Sequence, residues 1–157
     1  MSSLDWVFLD VEVFIGALLS GDSRHAEARP IVEAARRGNF AACTSVGVLA
    51  EVYAALTWVG TQPTQTPEVA SYAVRLLVEN PSEIRVLETG LEAGSKMLEL
   101  AASHQLTARR VHDARHVATA LVAGVRQVYT YDIDDWQVFQ SDGIVITGPE
   151  SKVSKGH

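Results

Sequence analysis

Trp6-Val7-Phe8-Leu9-Asp10 is a short apolar run closed by an acid, and it reads as a buried strand with a carboxylate at its C-terminal end. Residues 13–19 follow with helical character and stop at Ser20-Gly21-Asp22. A second helix over residues 23–37 carries Ala26, Ile31, Ala34 and Ala35, and Gly38 ends it. Pro30 predicts a kink or a split there, because it removes a backbone donor. Residues 40–43 form a second strand, and Ser45 caps a helix whose stripe is Val48, Val52, Ala55 and Val59.

The same alternation continues to the C-terminus. Residues 60–66 are a loop-like insertion, after which Thr66-Pro67-Glu68 restarts a helix with proline at its first position. Strands are expected at residues 84–87, 127–131 and 144–147, with helices at 91–103 and 111–122, the latter closed by Gly124. Strands separated by helices predict an α/β fold: a three-layer α/β/α sandwich around a parallel sheet of about five strands. Residues 1–150 are expected to form one domain and residues 151–157 a disordered tail.

Composition bounds the function. A chain of 157 residues, 47% hydrophobic, suits one core rather than two and is too apolar for a disordered chain. No apolar run approaches the ~20 residues of a bilayer span, and Met1-Ser2-Ser3-Leu4-Asp5 lacks the pattern of a signal peptide. Cys43 stands alone, so no internal disulfide points to an oxidising compartment. The expectation is a cytoplasmic protein without a membrane partner. Thirteen basic against nineteen acidic side chains give −6, which argues against a nucleic-acid partner unless several acids gather at one cation site.

The acids fall where such a site is possible. Active sites of open parallel sheets form beyond the C-terminal strand ends, where Asp10 and Asp132 stand. A helix N-cap is the plain alternative for Asp10, and turn chemistry for the acidic loop, Asp134 above all. Glu51 and Asp113 flank the apolar stripes of their helices, where a partly desolvated charge wants a partner. A salt bridge to Arg109, Arg110 or Arg115 would satisfy it structurally. Clustered carboxylates repel and raise one another's pKa unless cations are present. An all-oxygen set, with no histidine at ligand spacing near it, suits Mg²⁺ or Mn²⁺ rather than zinc.

Four segments resemble, in order, the motifs of the PIN-domain ribonucleases: Phe8-Leu9-Asp10-Val11-Glu12, Thr44-Ser45-Val46-Gly47-Val48-Leu49-Ala50-Glu51, Val111-His112-Asp113-Ala114, and Tyr129-Thr130-Tyr131-Asp132-Ile133-Asp134-Asp135-Trp136. Chains of this size in that family are mostly VapC-like toxins. The resemblance implies a metal-dependent endoribonuclease, with Asp10 and Asp113 as principal ligands and Asp132 and Glu51 completing the set. Glu12, Thr130 and Asp135 are candidates for supporting positions, and Arg109, Arg110 and Arg115 for contacts to RNA. The resemblance further implies a homodimer and an antitoxin partner. The family usually has Thr or Ser, then Asn, after the first Asp, where this chain has Val11 and Glu12. That departure motivates an alternative, a catalytically weak PIN-like module that binds RNA or protein. Asp10-x-Glu12 also brings in a third reading, a haloacid-dehalogenase-like phosphatase, which lacks a motif lysine because only Lys96 lies outside the tail.

Overall fold

The computed structural model describes residues 5–153. Among these, five strands form one parallel sheet in the order β3-β2-β1-β4-β5. The strands are β1 (Val7–Leu9), β2 (Ala42–Ser45), β3 (Arg85–Leu87), β4 (Gln127–Tyr129) and β5 (Val145–Gly148). β1 is central and buried at every residue, which is why it reads as continuously apolar rather than alternating. At the edges, Arg85 on β3 and Val145 on β5 are exposed. Helices α1 (Val11–Leu18), α2 (His25–Arg36), α3 (Val46–Thr57), α4 (Pro67–Val78), α5 (Leu91–Ser103) and α6 (Val111–Val122) connect the strands. Two short helices, α7 (Ile133–Gln137) and α8 (Glu150–Val153), follow β4 and β5. No helix among the described residues is long and apolar enough to cross a membrane.

Local signals account for most boundaries. The Ser45 side chain accepts from Val48 N at 3.2 Å, and Thr66 caps α4 in the same way at 3.3 Å. Gly124, at φ +79°, supplies the left-handed step that ends the α6 segment.

Four expectations need correction. Pro30 neither splits nor ends α2: it and Ala26, whose carbonyl loses a donor, are both exposed, so water can take that carbonyl. The second strand lies at Ala42–Ser45 instead of residues 40–43. The stripe of α3 ends at Leu56, because the helix stops at Thr57 and Val59 is 84% exposed. Of the tail expected to be disordered, Ser151–Val153 is helical: the Ser151 amide and hydroxyl donate to Glu27 at 3.0 and 2.6 Å. Residues 154–157 lie outside the described residues.

Candidate active site

The sheet order reverses direction at β1, so the β1 and β4 ends flank the crevice in which open α/β sheets place ligands. Register does the positioning. Leu9 pairs with Tyr129, and the Asp10 amide extends the ladder by donating to Tyr129 O at 3.1 Å. One step on, Asp10 and Thr130 are neighbours. The Thr130 hydroxyl accepts from the Asp132 amide at 2.9 Å and gives its own proton to Asp10 Oδ2 at 2.7 Å. The Trp136 indole, buried on α7, donates to the same oxygen at 2.8 Å. Asp10 occupies the N-cap position of α1 but makes no side-chain cap. Its carboxylate, on a residue 4% exposed, is held by Thr130 and Trp136 instead.

The remaining acids repel across this edge. Burial, followed by the charge of Asp135, pushes Asp113 up to about 6, with Asp10 adding to the rise while Arg110 and His116 oppose it. Asp132 is also raised, by burial first, then by a hydrogen bond with Asp135 that needs a proton on one partner, and by the charges of Asp135, Glu12 and Asp10. Glu12 rises through burial and Asp10, with Glu51 contributing and Arg24 opposing. Glu51 differs. Burial raises it, but the His116 hydrogen bond and the charges of His116, Arg115 and His112 outweigh that and leave it lowered. Asp134 is exposed in the first turn of α7 rather than in a loop turn.

Asp113 and Asp132 each feel the charges of Asp10 and Asp135, whereas Glu51 meets the other acids only through its effect on Glu12. Among the described residues, no three His, Cys, Asp or Glu side chains stand together as a preformed cation cage. Asp10, Glu51, Asp113 and Asp135 instead have donor or cationic partners from the protein. Arg110 approaches Asp113 at 3.7 Å and Asp135 at 4.0 Å, and Arg115 approaches Glu51 at 3.9 Å. Such long pairs between partly exposed groups are weak counter-charges. Arg109 is exposed on the short 3₁₀ turn Ala108–Arg110 before α6. The donor chemistry fits a hard divalent cation: the oxygens are carboxylate, and their repulsion is the kind that a bound cation relieves.

Two residues escaped the sequence reading. His116 stands beside the cluster, its Nε2 2.9 Å from Glu51 Oε2, although among the described residues it joins no group of three potential metal ligands. Trp136 was visible only as the aromatic of a motif, although a buried indole N–H always requires an acceptor. Phe8 lies beneath both, its ring 5.8 Å from Trp136 and 6.4 Å from His116.

Comparison with solved structures supports the architecture. VapC20 from Mycobacterium tuberculosis, described as a toxin that cleaves the sarcin–ricin loop, is similar with a TM-score of 0.68 at 21% identity, covering 91% of this chain and 99% of that one. VapBC2 from Rickettsia felis, bound to a promoter DNA fragment, gives a TM-score of 0.61 at 13% identity, covering 89% and 96%. A toxin–antitoxin complex from Klebsiella pneumoniae gives 0.58 at 18%, with the same coverage. At these identities the likeness is one of fold. A comparison with curated proteins finds no significant match. The PIN domain family model matches residues 7–139, a span that runs from β1 through α7 and takes in every acid of the cluster. On that match, the chain belongs to the PIN domain family.

Proposed function

We propose that this protein is a metal-dependent endoribonuclease, the toxin of a VapBC-type pair, which hydrolyses single-stranded or loop RNA. The observation that carries the reading is the acidic edge itself. Asp10 is fixed by two donors on one oxygen, while Asp113 and Asp132 are raised by burial and by their acidic neighbours. Asp10, Asp113, Asp132 and Glu51 are the residues that would hold Mg²⁺ or Mn²⁺. The bound cation supplies a water of lowered pKa and charge stabilisation at the scissile phosphate. Thr130 and Trp136 keep the Asp10 carboxylate from rotating, and Arg110 supplies partial counter-charge to Asp113 and Asp135. Exposed Arg109 is free to meet a phosphate of the approaching strand. A single strand can bend its backbone toward such an edge, as a duplex cannot readily do. The solved toxin–antitoxin complexes of the same fold support an antitoxin partner, and we extend the reading to a cytoplasmic homodimer.

The non-cleaving binding module is the second reading, favoured by Glu12, which stands where the family's usual residue is Asn and is itself raised by burial and Asp10. The family match removes the ground for the phosphatase alternative. Metal-dependent RNA cleavage that is lost in Asp113→Asn separates the two remaining readings, and thermal melts test the cation site itself. Mn²⁺ is expected to raise the melting temperature near neutral pH by binding only the folded cluster, and the effect should vanish in Asp10→Asn/Asp113→Asn. Equal stabilisation of that double variant would show a generic surface ion effect and count against the site.

A further inference from the structure

His116 lies on the buried face of α6 among Ala114, Val117, Ala118 and Ala120, and is 3% exposed. Its Nε2 is 2.9 Å from Glu51 Oε2, while its Nδ1 is buried without a partner. An ionised carboxylate only accepts, so the proton of a neutral ring belongs on Nε2, and Nδ1 is left with a lone pair. Arg115, one residue earlier, reaches the other Glu51 oxygen at 3.9 Å. Its guanidinium lies on the backbone of Gly47, where any Cβ would stand 2.9 Å from Nε. Glu51 on α3 is thus held from α6 by one hydrogen bond at Oε2, with only a weak, long-range counter-charge at Oε1. A ring serving only as core filler would gain nothing from carrying two polar nitrogens, one of them unpaired, into an apolar face.

We infer that His116 is a positioning residue for Glu51: its Nε2–H donor, with Arg115 seated on Gly47, fixes the carboxylate in the orientation from which it takes part in holding a divalent cation. The inference rests on the proposed metal-dependent function. It belongs to the class of contacts in which an outer hydrogen bond aims a metal-binding side chain.

The test is calorimetric titration with Mn²⁺ at one pH, on variants whose near-UV spectra show the native fold. His116→Phe keeps the ring volume and loses the donor; His116→Gln keeps an N–H donor near the Nε2 position. Removal of such an outer contact typically weakens metal affinity about 10- to 100-fold, and that loss is expected for His116→Phe, with His116→Gln close to wild type. In a Glu51→Gln background, His116→Phe should cost nothing more, because the side chain that it aims is already altered. Wild-type affinity in His116→Phe, or the same loss repeated in the Glu51→Gln background, would overturn the inference. If His116→Phe fails to fold, His116→Asn replaces it, since Asn is too short to reach Glu51. A loss in Asn but not in Gln supports the role, and equal affinities overturn it. A wild type that binds no Mn²⁺ defeats the metal-dependent reading itself, an outcome distinct from a wild type that binds and a His116→Phe that binds equally well.

Discussion

Asp113→Asn is expected to stabilise the metal-free protein near neutral pH while lowering RNA cleavage about 10³-fold. Both effects have one origin. Asp113 titrates at about 6 in the folded protein against an ordinary 3.8, because burial and Asp135 oppose its charge. The folded state therefore binds the proton more tightly than the unfolded chain. Stability falls as pH rises through the window from 3.8 to about 6, and the cost is fully present above it. Asparagine carries no charge, so its advantage over aspartate is complete above the window, shrinks within it and is gone below 3.8. The weak Arg110 pair at 3.7 Å is the only ion pair that the substitution breaks among the described residues. Cleavage moves the other way, because the charge that destabilises the fold is the charge that a divalent cation needs. A bound cation contributes several kcal/mol of transition-state charge stabilisation, and losing about 4 kcal/mol lowers the rate about 10³-fold. Melts in chelator across this pH range, with cleavage assays beside them, check both halves. A variant that is inactive and also less stable near neutral pH would point to misfolding instead.

The second large effect is on stability. Phe8→Ala should cost about 3–5 kcal/mol, the usual range for a fully buried phenylalanine, in a domain whose total stability is of order 5–15 kcal/mol. Phe8 is 0% exposed on the central strand, and the rings of Trp136 and His116 pack against it. Those two side chains hold Asp10 and Glu51. The cavity should therefore loosen the acidic edge along with the core. Urea unfolding measures the cost directly, and a loss below about 1 kcal/mol would contradict the packing role assigned to Phe8.

Which parts of this arrangement were legible in the sequence follows from the physics of each element. Helices α5 and α6 lie at the residues that their apolar periodicity predicts, Leu91–Ser103 and Val111–Val122, because each buries a stripe set by its own sequence. Strand β2 was displaced by two residues because its polar members hide their polarity. Thr44 Oγ1 donates to Leu9 O at 3.1 Å, and Ser45 spends its side chain capping α3. A reading keyed to apolar runs stops short of such residues. The four acids were legible because strand ends and stripe margins are properties of single elements. Their partners were not. Trp136 reaches Asp10 across 126 positions and His116 reaches Glu51 across 65, and both contacts depend on sheet register and helix docking. The departure at Val11-Glu12 was visible in the sequence, but its electrostatic consequence, a half-buried carboxyl raised by desolvation and then by Asp10, needed the fold.

The most direct test of the central claim is cleavage of an end-labelled single-stranded RNA by the wild-type protein, with and without Mn²⁺ or Mg²⁺, followed by analysis of the new ends. Water activated at the acidic edge attacks the phosphate from outside the RNA, so the account predicts cation-dependent, chelator-sensitive cleavage that leaves a linear phosphate and is lost in Asp113→Asn. A wild type that does not cut in either cation, or cleavage that persists in chelator and leaves a 2′,3′-cyclic phosphate from attack by the RNA's own hydroxyl, would contradict it.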